Sequence, residues 1–226
     1  MVATSNVLPG VRAISESKFC LAADLGQSTD PTALAAIEHV VTTHVTWRGK
    51  ETRAAEQFKV RFLQRLPLGL SYVDQVRQIG NLLTRPPLDT ADLVIDETGV
   101  GRPVGDLFNM FGLKPIRVTI TAGENQSGRG VRWHVPKSIL ISGLDARLHT
   151  GELIISDALP EAAALKEELR DFRRHVSAAG RFSYDARAGK HDDLILAVAL
   201  ALWNFVGKTK YPTAQVGTYH YGSPIT

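Results

Sequence analysis

The chain has 226 residues, 44% of them hydrophobic, enough to bury a full core in one medium domain. No apolar run is long enough to cross a bilayer, and the N-terminus lacks the charged-then-apolar pattern of a signal peptide. A single cysteine, Cys20, rules out a disulfide framework and a cysteine zinc cluster. The net charge of +3 with a pI near 9.1 says little about partners by itself.

In chain order, Met1 to Glu16 shows no period and reads as a loose arm, so residues 1–17 are expected to lie outside the folded domain. Phe19 to Ala23 is an apolar strand ending in one carboxylate, Asp24. A turn of Gly26, Gln27, Ser28, Thr29, Asp30 and Pro31 follows, built of residues that accept tight backbone geometry. Thr32 to Ile37 is a second apolar strand. Glu56 to Leu66 alternates Phe58, Val60 and Phe62 with Lys59, Arg61 and Gln64, as a half-buried third strand antiparallel to the second does. Ser71 to Leu83 has helical spacing, with Ser71 as its N-cap.

After Arg85-Pro86-Pro87, a short buried strand over Ala91–Ile95 runs into Asp96 and Glu97. Gly101 onward predicts a helix carrying Val104, Leu107, Phe108 and Phe111, closed by Gly112. Lys114 to Thr121 reads as a strand and Gly123 to Gly130 as a polar glycine-rich loop. A helix starts at Pro136, a strand covers Leu153–Ser156, and Pro160–Arg174 is expected as one helix with Leu165, Leu169 and Phe172 on its inner face. Gly180 to Asp185 reads as a last strand. His191-Asp192-Asp193 opens an apolar helix over Leu194–Phe205, and 207–226 is expected as a loose tail.

Three strands, then alternating helices and strands, predict an α/β chain. The layout is that of a ribonuclease H-like mixed sheet of five or more strands with helices on both faces. In that layout Asp24 and Asp96 stand side by side at the carboxyl ends of parallel neighbours, and the first turn of the last helix lies over them. An acid at the end of a buried strand costs free energy unless a cation or hydrogen bonds compensate it. Carboxylates converging from Asp24, Asp96 and the Asp192–Asp193 pair suit Mg²⁺ or Mn²⁺, which take oxygen ligands. Two such ions activate a water and stabilise the leaving oxygen in phosphodiester cleavage. Arg102, Lys114, Arg117, Arg129, Arg132, Lys137 and Arg147 outnumber the acids of the 101–150 segment, which suits a polyanion such as DNA. Charge alone does not separate this from a solvated face. Arg129, Arg132, Lys137 and Arg102 are the candidate phosphate contacts; Lys137 also starts a helix, where N–H groups favour anions.

Three stretches, DLGQSTDPTALAAIE, VIDETGVGRPVGDLF and GKHDDLILAVALALW, occur in one order over roughly residues 18–206. Together with VPKSILISGLDARLHTGELII they resemble the nuclease domain of bacteriophage large terminase subunits, the DNA-packaging motors. The resemblance implies a Mg²⁺- or Mn²⁺-dependent endonuclease that cuts double-stranded concatemeric viral DNA in the bacterial cytoplasm. It implies Asp24 and Asp96 as the first two catalytic, metal-binding acids and the HDD group as the third, Asp193 in preference to Asp192. Glu97 alternates to the opposite face from Asp96 and stays out of the set. The implied partners are a terminase ATPase domain or subunit, the small terminase and the portal, with no membrane. Gly207-Lys208-Thr209 is no P-loop, since Leu202 stands where its first glycine belongs; the chain is expected to be an excised or separately encoded nuclease domain. Another nuclease of the same fold (resolvase or transposase type) and a catalytically silent packaging scaffold are the alternatives. An actin-like phosphate-binding ATPase lacks its second Asp-X-Gly hairpin here.

Overall fold

The structure is a computed structural model that describes residues 11–26, 30–171, 173–176, 182–185 and 192–208, with the side chains of residues 54, 102, 171, 173–176 and 182–185 excluded. The turn residues Gln27, Ser28 and Thr29, together with Phe172, Gly180 and His191, lie outside the described set, as do 1–10 and 209–226.

Among the described residues, eight strands form one mixed sheet: β1 (Val11–Asp24), β2 (Ala33–Thr46), β3 (Glu51–Arg65), β4 (Asp92–Asp96), β5 (Ile116–Thr121), β6 (Ser127–Arg129), β7 (Arg132–Pro136) and β8 (Leu153–Ile155). Their order across the sheet is β6-β7-β5-β4-β1-β2-β3-β8. The first three strands form the expected antiparallel meander, while β4 lies parallel to β1, then β5 to β4 and β7 to β5. A separate ribbon pairs β9 (Arg173–Val176) with β10 (Phe182–Asp185).

The side-chain alternation of the strands divides the core into two layers. Cys20 and Ala22 of β1, Val94 of β4 and Val118 of β5 face a layer that contains α3 (Lys137–His149), α4 (Ala162–Asp171) and α5 (Asp193–Val206). Leu21, Ala23, Leu93 and Ile95 face the other layer, with α1 (Tyr72–Leu83) and α2 (Gly101–Met110). Helix α5 is buried from Asp193 to Asn204, which accounts for its apolar composition on every side. Each fully buried Leu or Val there contributes about 1.5–3 kcal/mol.

Several elements depart from the sequence reading. β1 begins at Val11, so the residues from 11 to 17 expected as an arm extend the first strand. Val11–Lys18 is exposed on both faces apart from its first residue, and without a core face no alternation arises in the sequence. The glycine-rich loop contains β6, which hairpins onto β7 through Gly130 at φ 62°. Gly128 is needed there, because a Cβ would lie 2.6 Å from the Arg132 carbonyl oxygen. The helix expected over Pro160–Arg174 ends at Asp171, and Arg173 already belongs to β9.

Candidate active site

Strand register puts four positions, Asp96, Asp24, Ala33 and Arg65, in one row. Ala23 pairs with Ile95, which brings Asp24 and Asp96 alongside each other at the carboxyl ends of β1 and β4. Asp24 pairs with Ala33, and Ala33 pairs with Arg65. Alternation turns Asp24, Asp96 and Arg65 to the α5 face of the sheet, where Ala33 is fully buried and leaves space with its single methyl. Helix α5 packs chiefly over β1 and β2 and sets its first residues above this row.

The electrostatics follow from that convergence. Burial raises the Asp24 carboxyl well above the usual range, and the negative charges of Asp96, Asp193 and Asp192 push it further, against a smaller lowering by Lys137. Burial lifts Asp96 to about 6. Thr98 and Lys137 oppose that rise: the Thr98 N–H donates to Asp96 Oδ1 at 2.8 Å. Asp193 is 5% exposed, and Arg65 Nε donates to its Oδ2 at 2.7 Å. Lys137 Nζ donates to Asp192 Oδ2 at 2.8 Å. Among the described residues no three carboxylate, imidazole or thiol groups stand close enough to hold an ion as they are. The two acids of the α5 start are instead drawn onto cations. Asp24 and Asp96 face each other's charge.

Gly26, two residues after Asp24, is held through Thr32 from the other core layer. The Gly26 N–H donates to Thr32 Oγ1 at 2.9 Å, and that hydroxyl donates to Gln75 Oε1 of α1 at 2.8 Å. Gln75 Nε2 donates to the Leu70 carbonyl at 3.0 Å. Gly26 admits no side chain, since a Cβ would fall 2.0 Å from the Asp30 carbonyl oxygen.

Other residues expected at the site are placed as follows. Glu97 faces away, as its alternation predicts, and pairs with the buried Arg117 at 3.2 Å. Lys137, expected on phosphate, stands at the acids, because β7 delivers the start of α3 to the same end of the sheet. Arg129 and Arg132 are exposed on the β6–β7 edge; Arg132 shares register with Arg117, on the opposite face from Asp24. Arg102 lies in the first turn of α2, with its side chain outside the described set. Arg65, Glu168 and Gln75 are new to the site. No motif flags them, since each acts through a contact far away in sequence.

A meander of three strands followed by parallel strands, with acids at the carboxyl ends of the two central parallel neighbours and helices on both faces, is the ribonuclease H-like fold. No protein-family model matches the chain. The chain is 25% identical over 195 residues to the large terminase subunit of Thermus phage G20c, covering 85% of this chain and 33% of that protein. The large terminase subunit of Thermus virus P23-45 matches equally, at 25% over 195 residues. Among solved structures, the large terminase nuclease of phage G20c with bound magnesium superposes with a TM-score of 0.58 at 21% identity, covering 83% of this chain and 81% of that one. The nuclease domain of the Thermus phage P74-26 large terminase gives 0.56 at 21%, covering 85% and 82%. Over most of its length the chain therefore resembles large terminase nuclease domains, as its three motifs imply, and it spans 33% of the length of the full subunits.

Proposed function

We propose that this chain is a Mg²⁺- or Mn²⁺-dependent endodeoxyribonuclease that cuts double-stranded viral DNA during phage genome packaging in the host cytoplasm. The observation that carries the reading is the convergence of Asp24, Asp96 and the Asp192–Asp193 pair from three elements upon one end of the sheet. The phage G20c nuclease is described with bound magnesium and also with bound cobalt, which supports a divalent cation at such a site.

The donor set is all oxygen, as hard cations require, and the mutual repulsion that raises Asp24 is what a divalent charge relieves. Asp24, Asp96 and Asp193 would be the ligands, with Asp192 as a further oxygen donor. Two ions at such a site supply an activated water and charge stabilisation for the leaving oxygen. The chain's own residues do the rest. Asp24 and Asp96 hold their oxygens on rigid central strands; Thr98 orients Asp96 through its N–H. Lys137 sits where a DNA phosphate approaching the acids would meet a cation, exchanging Asp192 for the phosphate. The partners of this reading are duplex DNA, a terminase ATPase domain or subunit, the small terminase and the portal.

The test is plasmid cleavage with Mn²⁺ or Mg²⁺, with and without EDTA, using Asp24→Asn and Asp96→Asn as controls. Metal-dependent loss of supercoiled plasmid, abolished in both variants, is the expected result. Intact plasmid at high protein concentration would refute the reading and favour a silent scaffold.

A further inference from the structure

Arg65 ends β3, one strand beyond Ala33 in the row that begins with Asp96 and Asp24. Its guanidinium meets three carboxylates from two helices and the segment before α4. Nε donates to Asp193 Oδ2 at 2.7 Å, Nη2 pairs with Glu168, and Nη1 stands 3.6 Å from Glu161. Glu168 is 7% exposed, and its second oxygen, Oε2, accepts the Ile195 N–H at 3.0 Å. That N–H belongs to the first turn of α5, where backbone donors have no partner within the helix. The residue before α5, Asp192, makes no side-chain cap bond to the helix. Glu168 therefore supplies from α4 the cap that α5 lacks at its own start.

Two links thus tie the beginning of α5 to the sheet: a charged fork from β3 to Asp193, and a carboxylate that holds both the fork and the backbone of Ile195. An ion pair made only for stability is a weak explanation here, because desolvating an arginine and two acids offsets most of their attraction. What the arrangement does specify is direction. With Oδ2 engaged by Nε, the Asp193 carboxylate is oriented over the row that includes Asp24 and Asp96.

We propose that Arg65 is a positioning residue for the metal site, with Glu168 as its support: it fixes the rotamer of Asp193 and the seat of α5 so that Asp193 serves the same ion as Asp24 and Asp96. This rests on the metal-site reading above. Arg65 itself does not touch substrate or metal; it acts through Asp193, as outer partners orient ligands in metal sites generally.

The experiment is Mn²⁺ binding by isothermal titration calorimetry on the full chain, with Arg65→Gln, Arg65→Lys, Glu168→Gln and Asp24→Asn, each paired with a melting curve in EDTA. Arg65→Gln is expected to weaken Mn²⁺ binding by ~10–100-fold. Arg65→Lys keeps the charge without the fork, so it should fall between wild type and Arg65→Gln while remaining folded. Glu168→Gln keeps an acceptor for Ile195 but loosens Arg65, and should weaken Mn²⁺ less than Arg65→Gln. Melting temperatures that drop in the Arg65 variants while Mn²⁺ affinity stays at the wild-type value would show a merely structural ion pair and overturn the proposal. Should Asp24→Asn bind Mn²⁺ as wild type does, the metal-site reading falls, and this proposal with it. Loss of binding in Asp24→Asn alone, with both Arg65 variants unchanged, overturns only the positioning role.

Discussion

Lys137 Nζ lies 2.8 Å from Asp192 Oδ2, so the cation that begins α3 and the acid that precedes α5 meet across 55 residues of chain. The contact places a positive charge inside an otherwise acidic cluster, where it lowers the carboxyls of both Asp24 and Asp96. Removing it should have a definite sign. In Lys137→Ala, without metal, the titration of Asp96 is expected to move up from about 6, because one of the groups favouring its charged form is gone. Carboxyl ¹³C NMR titration in EDTA measures this, reported as the apparent value of the coupled acids. An unchanged midpoint would place the ammonium outside the field of the site.

The same lysine separates two views of DNA contact. The slope of log K against log salt should fall by about 1 for Lys137→Ala. Arg129→Ala and Arg132→Ala, on the sheet edge and facing away from Asp24, should leave the slope nearly unchanged. Fluorescence anisotropy with duplex DNA over a salt series checks it, and a fall of about 1 for Arg132→Ala with none for Lys137→Ala would reverse the assignment.

Asp24 and Asp96 have folded-state carboxyls raised above their ordinary range, as does Glu168, which burial holds at about 7. The folded state then binds protons more tightly than the unfolded one, so stability is greatest at low pH and is lost as pH rises through the folded values. In EDTA the melting temperature is expected to fall between about pH 4 and pH 7 from this cause. Asp24→Asn removes an acid whose ionisation burial and its neighbours disfavour and should raise the melting temperature at neutral pH by ~2–4 °C, the shift that about 1 kcal/mol produces in a chain of this size. Mn²⁺ should stabilise the wild type by mass action and Asp24→Asn much less. A lower melting temperature for Asp24→Asn with an intact Mn²⁺ response would make Asp24 an ordinary turn residue.

Gln75 is 4% exposed and joins α1 to Thr32, whose hydroxyl holds the Gly26 N–H two residues after Asp24. Gln75→Leu leaves the buried Thr32 hydroxyl and the Leu70 carbonyl short of a partner, at a cost of about 1–3 kcal/mol. Cleavage should fall along with stability, since the hold on Gly26 near Asp24 is loosened. Thr32→Val removes the other end of the Gln75 bond but also the acceptor of the Gly26 N–H, so the double variant should lose less than the sum of the two single losses without regaining stability, which a double-mutant cycle in urea would measure.

Gly105 of α2 lies against the guanidinium of Arg117, where a Cβ would come within 1.3 Å of Nη2. Arg117 is 5% exposed and pairs with Glu97 at 3.2 Å. Gly105→Ala should displace the guanidinium from that pair and destabilise the chain by about 1–3 kcal/mol, in spite of alanine's better helix propensity. Cleavage per folded molecule should be kept, because this cluster lies on the face away from Asp24. Urea melts against activity normalised to folded protein distinguish the two effects.

The sequence by itself determined those parts of the molecule whose signals are local. The apolar run before Asp24, the Ser71 cap and the continuous apolar stretch of α5 each predict one element from neighbouring residues, and each is present. The strand read from Phe58–Phe62 is present as well, but a register shift between Val60 and Phe62 turns Phe62 to the core layer opposite Phe58 and Val60, which local alternation does not foretell. The separation of Asp96 from Glu97 onto opposite faces is equally local, since alternation is a property of the strand. The outer part of β1 and the strand β6 were not legible, because exposed strands carry no apolar period to read.

Only the tertiary structure decided which charges share the site. Asp193 is oriented by Arg65, 128 residues away, and Ile195 is capped by Glu168 from another helix. Lys137 turned from a residue on a basic segment into a neighbour of Asp192. Charge patterning along a sequence reports how many ions a segment carries, whereas register and helix seating decide which ions come within a few ångströms of each other. In a buried, weakly screened setting those few ångströms set both the direction of each carboxylate and the proton affinity of the cluster.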